Sequence, residues 1–112
     1  MIHTPFHFPL VALQIVLPRQ WEDPAVDWLL GHPDSYVEFD LQTVASHAAV
    51  TRSRLVREQV QGFTEGIWLH VLATADQLPS LQEGLLGALL GSDGRWWVSP
   101  VLASGRLEGG AA

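Results

Sequence analysis

The clearest pattern along the chain lies between residues 36 and 44, where apolar and polar side chains alternate. One face of this segment carries Val37, Phe39, Leu41 and Thr43. The opposite face carries Tyr36, Glu38, Asp40 and Gln42. A period of two is typical of a β-strand with one buried face, so a strand is predicted over residues 36–44.

Two longer segments also have the character of strands. Residues 10–17 are almost continuously apolar and stop at Pro18, which predicts a strand buried on both faces. Residues 58–73 are predicted as a further strand, because alternation returns over residues 67–73. The inward positions of that part are Ile67, Leu69 and Val71.

The last predicted strand covers residues 95–99 and contains two adjacent tryptophans, Trp96 and Trp97. Pro100 is predicted to end it, because proline cannot donate to a sheet ladder. Neighbouring residues of a strand point to opposite faces, so one of the two indoles must point away from the core.

The first helix is predicted over residues 20–31. Asp23 followed by Pro24 favours a helix entry at this point, and Gly31 is a plausible left-handed stop. An earlier start near Gln20, with Pro24 inside the first turn, remains an alternative.

The second helix is predicted over residues 76–90, with Asp76 as its cap and Gly91 as its end. Leucines recur at spacings of three and four, which is typical of the buried face of a helix. They are Leu78, Leu81, Leu85 and Leu89.

The predicted order of elements is β-α-β-β-α-β. Two split βαβ units of this kind form a ferredoxin-like α+β fold, in which both helices cover one face of a four-stranded antiparallel sheet. One domain is predicted over residues 10–107, with a flexible arm at 1–9 and a flexible tail at 108–112. In an alternative version, residues 101–107 form an extra strand that crosses to a neighbouring subunit.

The sheet face without helices is predicted to be unusually apolar. It carries Trp68, His70, Leu72 and one of Trp96 or Trp97, depending on the register. Burying one large apolar side chain is worth about 1.5–3 kcal/mol, so this face predicts an oligomer. A register shifted by one residue would exchange the two faces and is the alternative explanation.

Composition narrows the classes of function. The chain has 112 residues and a net charge of −6, and its six basic residues are all arginines. Nucleic-acid binding requires a dense basic surface, which is absent here. Without cysteine there is no disulfide, thiol nucleophile or thiolate metal site. The apolar run at 10–17 is too short to span a bilayer, and a cytoplasmic protein is expected.

Histidine and carboxylate side chains are the candidate metal ligands. His47 and Glu58 stand at the two ends of the segment between the second and third strands, and His70 alternates with core positions. Nitrogen and oxygen donors of this kind suit Zn, Cu or Ni. A solvated loop histidine and a packed His70 are the simpler interpretations, and His3 with His7 is disfavoured because Pro5 separates them.

The sequence supports a catalytic site less well than it supports a metal site. Glu38 and Asp40 share one strand face, as in a paired-carboxylate hydrolase, but alternating acids on an exposed strand are common. Ser46, Ser53 and His47 offer hydroxyl and imidazole groups without an orienting acid or an oxyanion-loop motif. No enzyme is therefore expected.

Four segments in this order resemble a bacterial family of small PII-like proteins of uncharacterised function, often encoded beside heavy-metal efflux pumps. The segments are Asp27-Trp28-Leu29-Leu30, Glu58-Gln59-Val60-Gln61-Gly62, Trp97-Val98-Ser99-Pro100-Val101 and Ser104-Gly105-Arg106-Leu107. The resemblance implies a homotrimer of ferredoxin-like subunits with inward-facing sheets, similar to PII signalling proteins and to CutA. It also implies ligand clefts between subunits and a partner-facing loop over residues 45–57.

The resemblance implies an anion site near Gly62, where family members commonly carry basic residues. Here Phe63, Thr64 and Glu65 follow the glycine instead. The charge for such a site then falls to Arg57, Arg95 and Arg106.

The function that the resemblance implies is that of a non-enzymatic sensor or adaptor in heavy-metal homeostasis. It would bind a small ligand or a divalent metal at subunit clefts, and a membrane efflux transporter is a candidate partner. The alternatives are a small oligomeric enzyme with a pocket near His70 and a purely structural trimer of the CutA type. A pocket that encloses His70 favours the enzyme, whereas a packed sheet face favours the adaptor.

Overall fold

The part of the chain that the structure describes contains four strands and two main helices in the predicted order. A computed structural model describes residues 9–47 and 64–109. The strands are β1 (Leu10–Pro18), β2 (Glu38–Ser46), β3 (Thr64–Thr74) and β4 (Arg95–Val101). Helix α1 (Glu22–Gly31) follows a short 3₁₀ turn (Arg19–Trp21), and a second 3₁₀ turn (Pro33–Ser35) precedes β2. Helix α2 covers residues 78–88 and contains a π-helical turn (Leu81–Leu85).

The strands form one sheet in the order β2-β3-β1-β4, and each neighbouring pair is antiparallel. This is the predicted ferredoxin-like α+β fold. The central pair is β1 and β3, with Ile15 opposite Leu69. Both central strands have a neighbouring strand on each edge. Leu13, Ile15 and Leu17 of β1 are buried on the helix side, whereas Ala12 and Gln14 on the other face are only partly buried, so β1 is not fully buried on both faces of the single chain.

The hydrophobic core lies between one face of the sheet and the two helices. The sheet contributes every second residue of its central strands, and the helices contribute their buried stripes. The largest fully buried side chains are Leu13, Leu17, Leu29, Ile67, Leu69, Val71, Leu81 and Leu85. Phe39, Leu41 and Val98 from the outer strands pack against this cluster. The predicted inward positions of β3 are confirmed, and so are Phe39 and Leu41 in the second strand. Thr43 is exposed, and Tyr36, which the alternation predicts on the opposite face, packs against the core.

The helix ends differ in three places from the prediction. Helix α1 begins before Asp23, with Pro24 in its first turn, as in the earlier-start alternative. Gly31 remains inside α1, and its φ is not left-handed. The turn before α2 is closed by Thr74 and Gln77 rather than by Asp76: each backbone N–H donates to the other's side-chain oxygen, at 2.9 and 3.2 Å. This reciprocal pattern is that of a capping box.

The last strand differs as well, because it continues through Pro100 to Val101. Among the described strands β4 pairs only with β1, and an edge strand tolerates proline when the missing N–H faces outwards. Residues 102–109 form no strand within the single chain, and an extra strand that pairs with a neighbouring subunit stays a prediction. The predicted start of the third strand, residues 58–63, lies outside the described residues.

No helix within residues 9–47 and 64–109 is long and apolar enough to cross a membrane.

Candidate functional site: the open face of the sheet

The face of the sheet that the helices leave uncovered contains an aromatic cluster at its centre. The strand register defines a row across the sheet, in which Asp40 pairs with His70, His70 with Gln14, and Gln14 with Trp97. A neighbouring row contains Gln42, Trp68, Val16 and Arg95. We call the group of Gln14, Trp68, His70 and Trp97 the open-face cluster.

Trp68 is the centre of the open-face cluster. Its ring stacks on that of His70, with a centroid distance of 5.1 Å and an interplanar angle of 13°. It meets Trp97 edge to face at 5.7 Å and 67°. Its indole N–H donates a hydrogen bond of 2.7 Å to the side-chain oxygen of Gln14. Four side chains from three strands are thus held in one arrangement.

The pairing of β4 with β1 determines which of the two indoles, Trp96 or Trp97, lies on the open face. Trp97 pairs with Gln14 and points to the open face, whereas Trp96 pairs with the core residue Ile15 and points to the helix side. Trp97 remains 38% exposed in the single chain. The prediction that an aromatic side chain from this pair joins Trp68, His70 and Leu72 on the uncovered face is confirmed.

His47 and His70, the two predicted metal ligands within the described residues, do not meet within one subunit. His47 directly follows β2 and is exposed, and its neighbour Ser46 pairs with Thr64 at one end of β3. His70 lies further along β3, roughly 20 Å away at about 3.3 Å per residue. Glu58 lies outside the described residues. Within the described ranges, no three histidine, aspartate or glutamate side chains are grouped as a metal site.

Two of the predicted anion-binding residues, Arg95 and Arg106, lie within the described residues. Arg95 begins β4 and Arg106 lies in the segment after β4, and both are exposed. Arg57 and Gly62 lie outside the described residues.

A groove is present on the other side of the sheet, between the end of α2 and the start of β4. Its floor is formed by Ile15 and Leu17, and its rim includes Leu90 and Trp96. It does not include His70. The pocket around His70 that the enzyme alternative requires does not coincide with this groove.

Gln14 is the member of the open-face cluster that sequence reasoning missed. In the sequence it appears only as a polar interruption of the apolar run at residues 10–17. An isolated glutamine in a central strand is a signal, because a buried amide requires a hydrogen-bond partner. That the partner is Trp68, distant in sequence, follows only from the register of β1 and β3.

The fold is a ferredoxin-like α+β fold, which is also the fold of CutA and PII proteins. The structure of CutA from Synechococcus elongatus PCC7942 superimposes with a TM-score of 0.65 at 14% identity, covering 86% of this chain and 80% of that chain. The Arabidopsis thaliana PII protein bound to citrate superimposes with a TM-score of 0.60 at 12% identity, covering 84% and 78%. At these identities the likeness shows the fold alone.

The chain belongs to the family described as "Protein of unknown function (DUF3240)", which it matches over residues 8–108. A DUF3240 family protein from Shewanella baltica OS155 has a similar structure, with a TM-score of 0.71 at 17% identity, covering 88% of this chain and 97% of that chain. No curated protein matches the sequence. The predicted resemblance to an uncharacterised PII-like family is confirmed.

Proposed function

We propose that this protein is a non-enzymatic, PII-like sensor or adaptor that acts as a homotrimer. The observation that carries the proposal is the open-face cluster, in which two indoles and an imidazole are packed together on a sheet face that the helices leave uncovered. Large apolar patches on a soluble domain mark interaction sites. A second and a third copy of the chain are the occupants that the resemblance to PII and CutA implies.

Ligands are proposed to bind in clefts between the subunits. The Arabidopsis PII structure was solved with citrate, a small polycarboxylate, and an anion of this kind is one ligand class that arginines recognise through paired hydrogen bonds. Arg95 and Arg106 are both exposed in the single chain, and the proposal brings them together at a cleft between neighbouring copies. Arg57 and Gly62 complete the proposed anion site.

A divalent metal is the second proposed ligand, and heavy-metal homeostasis is the proposed physiological context. His47, Glu58 and His70 are the proposed donors. Because His47 and His70 are far apart within one subunit, a shared site would have to form between copies. Residues 45–57 are the proposed contact with a protein partner, for which a membrane efflux transporter is the candidate.

The position of His70 supports the adaptor over the enzyme alternative. Its ring stacks on Trp68 as part of the open-face cluster, and it is not part of the groove beside β4. A histidine in this setting contributes to packing between copies, whereas a general base requires an enclosed space for the substrate beside it.

Calorimetric titration with Zn, Cu, Ni and Co tests the metal site. We expect at least one metal to bind the wild type and the His32→Ala control, and to bind His47→Ala at least tenfold more weakly. Affinity is expected to fall in acid, because a protonated imidazole cannot coordinate a metal. Equal binding by all three proteins would remove His47 from the site.

An absence of heat with all four metals would exclude the metal proposal and leave the anion. Citrate is then the probe, titrated into the wild type and into Arg95→Ala and Arg106→Ala variants. Weaker binding by both variants supports the anion site, and unchanged binding contradicts it.

A further inference from the structure

The groove beside β4 is an open concavity on the helix side of the sheet, with apolar side chains beside polar ones. It has a volume of about 180 Å³, and its lining includes Leu86 of α2 and Leu89, which directly follows α2. Its rim residues Leu90 and Trp96 are 79% and 49% exposed. An apolar cavity of about 150 Å³ accepts a benzene-sized group, so the groove has room for a leucine side chain.

The segment after β4 presents the complementary feature. Residues 102–109 form neither helix nor strand, and they include two leucines that are exposed to solvent. Leu102 is 95% exposed and Leu107 is fully exposed. Moving a leucine side chain from water into an apolar site contributes about 1.5–3 kcal/mol of favourable free energy. In the single chain neither leucine contributes this free energy.

We propose that Leu107 of one copy inserts into the groove beside β4 of a second copy. The charged residues beside Leu107 are complementary to those on the rim of the groove. Leu107 lies between Arg106 and Glu108, and the groove rim carries Asp93 and Arg95 on either side of Gly94. When the two segments run in the same direction, Arg106 faces Asp93 and Glu108 faces Arg95, so both pairs have opposite charges.

A second copy is required because a chain's own segment does not reach its groove. The segment leaves β4 at Val101, which pairs with Leu10, whereas the groove lies at Arg95, which pairs with Val16 at the other end of the edge. A tight reversal through about two residues would bring Leu107 back only to the level of Val98. Trp96 and Arg95 lie beyond that level.

The inference rests on the proposed assembly of several copies, and it assigns the second copy a specific contact outside the open face. The two contacts are compatible, because the open-face cluster and the groove lie on opposite sides of the sheet. A subunit therefore has surface for one copy at its open face and for the Leu107 segment at its helix side.

Disulfide trapping tests the contact directly, since the chain has no cysteine of its own. Leu107→Cys protein is mixed with Leu90→Cys protein and oxidised. We expect a cross-linked product that contains one chain of each kind. Leu107→Cys mixed with Leu30→Cys is the control, because Leu30 is a similarly exposed leucine (64%) on α1, away from the groove.

Sedimentation of Leu107→Ser and Leu30→Ser variants gives a second measurement. We expect the dissociation constant between copies to rise at least tenfold for Leu107→Ser and to change less than twofold for Leu30→Ser. An oligomeric wild type without the specific cross-link overturns this inference and leaves the proposed assembly intact. A monomeric wild type overturns both. A disulfide formed within one chain of the Leu90→Cys, Leu107→Cys double variant at high dilution would show that a chain's own Leu107 segment fills its groove. That result also overturns the inference.

Discussion

Trp28 connects the two helices through a contact that allows only glycine on the opposite side. A Cβ atom added to Gly84 would overlap the six-membered ring of Trp28. The same indole stacks on His32 at a centroid distance of 4.0 Å. The His32 Nδ1–H donates to the backbone oxygen of Trp28 at 2.7 Å, which satisfies a carbonyl near the end of α1. Gly84 lies in the π-helical turn of α2, so the irregular turn and the indole meet at one point.

Gly84→Ala is expected to lower the free energy of unfolding by about 1–3 kcal/mol, because the added methyl group forces Trp28 or the helix to move. Gly87→Ala is the matched control. Gly87 lies in the same helix with no neighbour within 4 Å, and alanine there is expected to stabilise by about 0.5–1 kcal/mol. Urea unfolding measures both changes. A similar effect of the two substitutions would contradict the contact.

The hydrogen bond between Trp68 and Gln14 joins the two central strands on the open face. A double-mutant cycle with Gln14→Leu and Trp68→Phe isolates its contribution, since each substitution removes one partner and keeps an apolar side chain. The expected coupling is about 0.5–1.5 kcal/mol, measured by urea unfolding. Additive effects of the two substitutions would show that the bond contributes nothing to stability.

The same three residues, Leu-Leu-Gly, end α1 and directly follow α2, and their backbone conformations differ. Leu29 and Leu89 are both buried, and Leu30 and Leu90 are both exposed. Gly31 keeps a right-handed backbone as the last residue of α1, whereas Gly91 has a φ of +87° and reverses the chain. The residues after each glycine explain the difference. After Gly31, the His32 side chain bonds back to the helix, while the chain after Gly91 must return directly to β4.

Gly91→Ala is expected to destabilise the protein by roughly 1–2 kcal/mol, because a side chain is strained in the left-handed region. Gly31→Ala is expected to stabilise it by about 0.5–1 kcal/mol, because Gly31 is helical and has open space around it. Thermal unfolding of both variants tests the difference in sign. Destabilisation of equal size at both sites would mean that the two helix ends are alike.

In the whole molecule, the two sides of the sheet differ in the residues they carry and in how far those residues are buried. The helix side holds the core, and the open side holds aromatic and polar groups that a single chain leaves partly in water. A trimer that buries the open-face cluster would remove this surface from solvent, which is the physical reason to expect assembly.

Trp97→Ser is expected to weaken that assembly by at least tenfold, because the substitution removes a large aromatic surface from the open face. Leu30→Ser is the control for the loss of an exposed apolar side chain elsewhere. Sedimentation equilibrium of the wild type and both variants gives the dissociation constants. Equal constants for Trp97→Ser and the wild type would move the interface away from this face.

The sequence alone was sufficient for the order of elements, the ferredoxin-like fold and the inward face of β3. These depend on local periods of two and of three to four residues, which need no knowledge of distant partners. Strand ends were less accurate. Pro100 indicates an end by itself, yet β4 continues through it, because an edge strand has one side without a pairing partner.

Only the tertiary structure decided which tryptophan faces which side and which groups meet. Trp96 and Trp97 are equivalent in a local pattern, and their assignment follows from the pairing of β4 with β1. The same register brings Gln14 to Trp68 and separates His70 from His47. Register depends on contacts between segments far apart in the chain, and a shift of one residue exchanges the two faces of a strand. Local sequence therefore specified the strands, and their pairing created the open-face cluster.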